Sequence, residues 1–172
     1  MSRVLVIDDD RAILHMIRHG LQQLNIEVVT AMSADEGLGL ISDQIDVVLL
    51  DIMLPRMSGL EVFQRIHAID RRLPVIFITA GAGSETAIEA MQLGAYDYVA
   101  KPIDLPQLMA LVQKALETRR LMRVPVAVAV NKDEENTGDL FIGRSPPMLE
   151  VLKAIGQVSK QNITVLIRGE GG

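Results

Sequence analysis

Val47-Val-Leu-Leu-Asp51-Ile-Met-Leu-Pro-Arg-Met-Ser58-Gly-Leu-Glu61 is the stretch that decides the fold. Val47–Leu50 is short, wholly apolar and half β-branched, the pattern of a strand buried on both faces. Asp51 stands at its carboxyl end. Ser58 followed by Glu61 is a capping box, so a helix opens there. Strand, loop and helix in that order form half of a βαβ unit, and the same grammar recurs on either side.

Four further apolar runs read as strands: Val4–Ile7, Glu27–Thr30, Val75–Ile78 and Tyr98–Ala100. Amphipathic stretches of helical length separate them. In the first, Ile13, Ile17, Leu21 and Leu24 share a face, opposite Arg11, His15, Arg18 and Gln22. In the last, Leu108, Leu111, Val112, Ala115 and Leu116 form the buried stripe. Ser33 with Glu36 is a second capping box, and Asp104 with Gln107 is an Asp version of it. Gly94 falls where a left-handed cap would close the fourth helix. Five strands alternating with five helices predict a doubly wound parallel sheet covered on both faces.

Composition removes several function classes. The chain has 172 residues, 49% hydrophobic and 23% charged, so it is not a mainly disordered protein. A net charge of −5 gives no broad basic surface, and direct nucleic-acid binding by this segment is not expected. With no Trp and 3% aromatics, there is no stacking platform for single strands. The absence of cysteine excludes disulfides, thiolate metal sites and a Cys nucleophile, and fits a cytoplasmic location. No apolar run reaches membrane-spanning length, and Asp8 follows the N-terminal apolar run too soon for a secretory signal.

Ligands of open parallel sheets bind outside the carboxyl ends of the strands. Asp8 and Asp9, with Asp10 next, follow the first strand. Asp51 ends the third, Thr79 ends the fourth, and Lys101-Pro102 follows the fifth. Asp10 reads as a helix N-cap. Clustered carboxylates repel unless a cation sits among them, and hard oxygen ligands suit Mg²⁺. A carboxylate can also act as nucleophile and form an acyl phosphate. Phosphoryl transfer needs its equatorial oxygens neutralised, which Mg²⁺, a Lys ammonium and a Thr hydroxyl would do. These residues therefore suggest an aspartyl-phosphate site.

Val6-Ile-Asp-Asp-Asp10, Asp51-Ile-Met-Leu-Pro-Arg-Met-Ser-Gly59, Ile78-Thr-Ala80 and Tyr98-Val-Ala-Lys-Pro102 together resemble the receiver domain of two-component response regulators. The likeness covers residues 3 to about 120. It implies a flavodoxin-like sheet in strand order 2-1-3-4-5 and Asp51 as phosphoacceptor. It implies Asp9 as a direct Mg²⁺ ligand, Asp8 holding the metal through water, and the Met53 carbonyl completing the set with Asp51. Lys101 would pair with the phosphoryl group and Thr79 would bond it after transfer. Tyr98 matches the aromatic that swings inward when Thr79 moves, and Lys101–Pro102 would be cis. Pro55 and Gly59 match the loop after the acceptor, with Gly59 supplying backbone freedom. Gly81-Ala-Gly83 replaces a more polar loop, and Ile103 stands where many relatives carry Phe, departures that bear on switching rather than chemistry.

The tail has its own likeness. Pro125 should stop the fifth helix, and Asn131–Asp139 reads as a polar linker. Phe141-Ile-Gly-Arg-Ser-Pro-Pro147, a helix carrying Leu149, Leu152, Ile155 and Val158, and Thr164-Val-Leu-Ile-Arg-Gly-Glu170 resemble the opening of the AAA+ domain of sigma-54-dependent, NtrC-like activators. Gly169-Glu-Gly-Gly172 would begin a P-loop whose Lys and Ser/Thr are missing, so this segment is not expected to hydrolyse ATP. The domain division expected is 1–120 receiver, 121–139 linker and 140–172 AAA+ fragment.

The resemblance implies a sensor histidine kinase as phosphodonor. It implies a homodimer through the fourth helix, fifth strand and fifth helix, extended by Leu121 and Met122. It further implies sigma-54 RNA polymerase and DNA as partners of a longer protein. Other classes fit less well. A haloacid-dehalogenase-type hydrolase needs a second Asp where Met53 stands. A flavodoxin-like FMN binder would meet repulsion from Asp8–Asp10. An output-less phosphate shuttle is opposed by the AAA+-like tail alone. His15 and His19 lie on a polar face without a third ligand, and Arg71-Arg72 and Arg119-Arg120 read as surface charge.

Overall fold

The computed structural model describes residues 1–81 and 85–124. Five strands alternate with five helices: β1 (Arg3–Ile7), α1 (Arg11–Gln22), β2 (Glu27–Ala31), α2 (Ala34–Gly39), β3 (Val47–Asp51), α3 (Gly59–Ile69), β4 (Val75–Thr79), α4 (Glu85–Gln92), β5 (Asp97–Ala100) and α5 (Leu105–Arg123). All pairings are parallel, in the order β2-β1-β3-β4-β5. This is the doubly wound sheet expected. Residues Met1–Arg119 form one compact unit. Pro125, the expected linker beyond residue 124, the AAA+-like stretch and Ala82-Gly83 lie outside the described residues.

Period-two alternation sorts the strand side chains into two cores. Val4, Val6, Val47, Leu49, Ile76, Ile78 and Val99 pack with Leu14, Ile17 and Leu21 of α1 and Leu108, Val112 and Ala115 of α5. Leu5, Ile7, Val48, Leu50, Val75 and Phe77 pack on the opposite face with Val62, Phe63 and Ile66 of α3 and Ala90 of α4. Because β1, β3 and β4 are covered on both sides, they read as unbroken apolar runs.

Local chemistry sets the helix ends. Asp10 caps α1 by accepting the Ala12 N–H at 2.8 Å. Ser33 and Ser58 accept the N–H groups of Glu36 and Glu61, each at 3.2 Å. The return half of each box differs from the simple pattern: Glu36 reaches the Met32 N–H, and Glu61 pairs with Arg65. Gly94, at φ +104°, is the left-handed residue closing α4.

Two expectations need correction. The buried face of α1 is Leu14, Ile17, Gly20 and Leu21; Ile13 is half-buried, and Leu24 lies past the helix end. On α5 the buried stripe runs Leu108, Val112, Ala115, Arg119. Arg119 is thus not surface charge. It is 5% exposed and pairs with Asp70, just beyond α3, a link spanning 49 residues.

Candidate functional site

Parallel register brings the candidate residues to one rim. Ile7 is level with Leu50, so Asp8 and Asp51, one step further on, stand side by side. Asp51 is level with Ile78, which puts Thr79 just beyond it, and Thr79 is level with Ala100, just before Lys101. The Lys101 N–H donates to the Thr79 carbonyl at 2.7 Å, extending that pairing by a rung. The Lys101–Pro102 peptide is cis, as the resemblance implied.

Asp8 has no exposed surface. Its Oδ1 accepts the Asp10 N–H at 2.8 Å. Its Oδ2 is 3.3 Å from Lys101 Nζ, yet it is buried without an aligned hydrogen bond. Asp51, 2% exposed, accepts the Met53 N–H at 2.9 Å through Oδ1 and the Lys101 ammonium at 3.0 Å through Oδ2. Asp9 is exposed at the mouth. One carboxylate oxygen from each of Asp8, Asp9 and Asp51 lies within 4.8 Å of the others, a donor set able to hold a metal ion.

The electrostatics follow from this crowding. Burial pushes the Asp8 carboxyl above its ordinary value. The neighbouring Asp51 charge adds to that rise, while the Asp10 N–H and Lys101 oppose it. For Lys101, burial favours the neutral amine. The hydrogen bond to Asp51 and the fields of Asp51 and Asp8 outweigh it and raise the pKa. Asp8 Oδ2, buried and lacking an aligned donor, is where a divalent cation would satisfy the site; the oxygen-only donor set fits Mg²⁺.

The other expected residues surround this centre. Thr79 is buried, its hydroxyl paired with both the N–H and the carbonyl of Gly81 at 3.3 Å. Tyr98 is half-buried against the core that holds Phe77. Tyr98 and Lys101 also line a surface groove of about 720 Å³ with Gln107, Leu111 and Lys114 of α5. The Met53 side chain is 71% exposed beside the acceptor. His15 and His19 lie exposed on α1 and belong to no metal-ligand cluster among the described residues.

Gly59 plays a different part from the one its motif suggested. A Cβ there would sit 2.4 Å from the Asp51 carbonyl oxygen and 2.6 Å from Ile52 Cα, so the need is for space rather than backbone freedom. The Gly59 N–H closes the loop on the Ile52 carbonyl at 2.8 Å.

A family model described as the response regulator receiver domain matches residues 4–113. The DNA-binding transcriptional regulator NtrC of Salmonella typhimurium is 35% identical over 170 residues, covering 98% of this chain and 35% of that protein. The C4-dicarboxylate transport transcriptional regulatory protein DctD of Rhizobium meliloti is 33% identical over 170 residues, covering 98% of this chain and 37% of its own length. The chain therefore spans little more than a third of these curated relatives. Among solved structures, a response regulator receiver domain protein from Clostridium thermocellum matches with a TM-score of 0.68 and 34% identity. That match covers 71% of this chain and 99% of the other. NtrX from Brucella abortus, in complex with ATP, matches at 0.66 and 35%, covering 71% of this chain and 28% of NtrX.

Proposed function

Because the chain belongs to the response regulator receiver domain family, we propose that Asp51 is a phosphoacceptor and that its acyl phosphate is the signal this domain carries. The observation that carries the reading is the placement of Lys101 Nζ between Asp51 Oδ2, at 3.0 Å, and Asp8 Oδ2, at 3.3 Å, on a rim with three converging carboxylates. One lysine serving two buried acids is poised to follow whichever oxygen acquires more charge.

In the transfer, an Asp51 oxygen attacks phosphorus. A new O–P bond forms, the donor's P–N or P–O bond breaks, and the leaving group keeps that electron pair. Lys101 neutralises the phosphoryl oxygens as charge gathers on them. Asp8, Asp9, Asp51 and the Met53 carbonyl would hold Mg²⁺, which supplies further neutralisation of the phosphate. The Met53 N–H fixes Asp51 through its Oδ1 at 2.9 Å. The Thr79 hydroxyl, paired with Gly81, exchanges that partner for the phosphoryl group, and Tyr98 moves into the space left.

The domain is a switch rather than an enzyme, catalysing its own phosphorylation and dephosphorylation. A sensor histidine kinase is the proposed donor, in the cytoplasm; no helix among the described residues is long and apolar enough to cross a membrane. Ile88 and Met91 of α4, 52% and 40% exposed, belong to the proposed dimer surface along α4, β5 and α5. Residues 1–120 are proposed as receiver, 121–139 as linker and 140–172 as the start of an AAA+ domain of a sigma-54-dependent activator that binds DNA. Support for that division comes from the relatives, whose likeness extends over 98% of the chain and so past residue 113.

Mass spectrometry of the intact chain after incubation with acetyl phosphate tests the reading. A single Mg²⁺-dependent phosphoryl adduct is expected on the wild type and none on Asp51→Asn. An adduct that survives Asp51→Asn would overturn it.

A further inference from the structure

The loop that begins at the phosphoacceptor, residues 52–58, carries one charged side chain, Arg56. The loop is fixed at both ends: the Ile52 N–H donates to the Ile78 carbonyl at 3.0 Å and the Gly59 N–H to the Ile52 carbonyl at 2.8 Å. Leu54 is buried in the core, and Met57 packs against it. Between these two anchors, Pro55 and Arg56 are exposed at the tip.

The backbone there is unusual. Arg56 has φ +70°, and the Met57 N–H donates across it to the Pro55 carbonyl at 2.8 Å. A bond between residues two apart across a positive-φ centre makes a γ-turn of the strained kind. Glycine would adopt it freely, whereas a long β-carbon-bearing side chain does so at a cost. The tip therefore holds a guanidinium at a position where backbone geometry favours no side chain.

The charge balance gives that cation a use. The charges of Asp8, Asp9 and Asp51 would be only just balanced by Lys101 and a bound Mg²⁺, so an arriving dianion gains net attraction at the mouth only from a further cation. We propose that Arg56 is a specificity-determining residue for the phosphodonor. Its fixed charge on the rim speeds the approach of dianionic acyl phosphates to Asp51 and thereby favours them over donors of lower charge. The inference rests on Asp51 being the phosphoacceptor. For a nominal separation of about 10 Å in water, a unit charge changes the encounter rate of a dianion roughly three-fold and of a monoanion less than two-fold.

The test compares the full chain with Arg56→Gly, Arg56→Lys and Arg56→Glu. Phosphoryl adduct formation is followed by intact mass with acetyl phosphate, a dianion at neutral pH, and with phosphoramidate, a monoanion. Each is measured with Mg²⁺ at 20 mM and at 500 mM KCl. At low salt, Arg56→Gly should slow the acetyl phosphate reaction about three-fold and Arg56→Glu about ten-fold, while Arg56→Lys stays near wild type. Phosphoramidate should respond less, and 500 mM KCl should close the gaps, since screening then acts within about 4 Å. Glycine fits this turn, so a slow Arg56→Gly protein is not a misfolded one. Equal low-salt rates for wild type and Arg56→Gly would overturn the inference, as would a loss that high salt leaves intact. A wild type that takes no phosphoryl group from either donor would remove the phosphoacceptor reading and this inference with it.

Discussion

Replacing Asp8 by Asn should stabilise the domain in metal-free buffer, although it removes a buried, hydrogen-bonded residue. With one Asp8 oxygen within 4.8 Å of one on Asp51, their repulsion is about 3.5 kcal/mol at an effective dielectric of 20. Asp9 is exposed, so its contribution falls to about 1 kcal/mol. Lys101, 3.3 Å away, returns about 5 kcal/mol of attraction. The charge–charge effects roughly cancel, and what remains is the cost of burying a carboxylate with no exposed surface. Asparagine keeps an acceptor for the Asp10 N–H but turns an amide toward Lys101, which returns part of the gain. The net stabilisation is about 1–2 kcal/mol, or some 3–8 °C in melting temperature.

Thermal melts followed by circular dichroism, in chelator and in millimolar Mg²⁺, would show it. The pH dependence has a definite sign. The folded pKa of Asp8 is raised, so its contribution to stability is fully present below the ordinary value of 3.8 and is lost as pH rises through the folded value. The advantage of Asp8→Asn should therefore open with rising pH and vanish near pH 4. In Mg²⁺ the wild type gains binding energy that the variant lacks, and the gap closes or reverses. An Asp8→Asn protein that melts lower in chelator at neutral pH would refute this account of the site's electrostatics.

Lys101→Met should lose about 2 kcal/mol in chelator, because two buried acids lose their cation, and combining it with Asp8→Asn should recover most of that loss. Its folded pKa is raised, so the wild-type contribution persists until pH climbs past 10.5, which titration melts would locate. Gly59→Ala drives a methyl into backbone and should cost about 2–3 kcal/mol by urea denaturation. Gly37→Ala would bring a methyl to 2.4 Å from Cδ1 and 2.8 Å from Cγ1 of the fully buried Ile7, so despite its gain in helix propensity it should cost about 1–3 kcal/mol. Asp70→Ala should cost about 2–3 kcal/mol because it strands the buried Arg119, whereas Arg119→Met, which removes the charge, should cost less than about 1 kcal/mol.

The centre of the sheet was legible because β3 and β4 are buried on both faces, and such strands announce themselves as continuous apolar runs. The rim was legible because each acid, hydroxyl or amine directly follows its run. What escaped the sequence reading depends on contacts between distant segments. Arg119 falls on the α5 stripe four residues after Ala115, so periodicity carried a signal, but its charge argued the other way. Only Asp70 at the end of α3 explains its burial. The γ-turn at Arg56 had no compositional mark, since arginine is not a turn residue. The steric demand at Gly59 arises from a loop folding back on Asp51, and a lone glycine could not reveal that.

β5 is one of the sheet's two edge strands, four residues long and hydrogen-bonded only to β4, whereas the three acids descend from β1 and β3 in the middle. A central strand cannot shift without loosening ladders on both sides. An edge strand gives up only one. Tyr98 rides on that edge, and Lys101 follows directly from it, whereas the three acids do not. The acids of the proposed phosphorylation site thus stand on strands braced from both sides, the proposed switch residue Tyr98 stands on one braced from a single side, and Lys101 is the link through which the margin and the centre would feel each other.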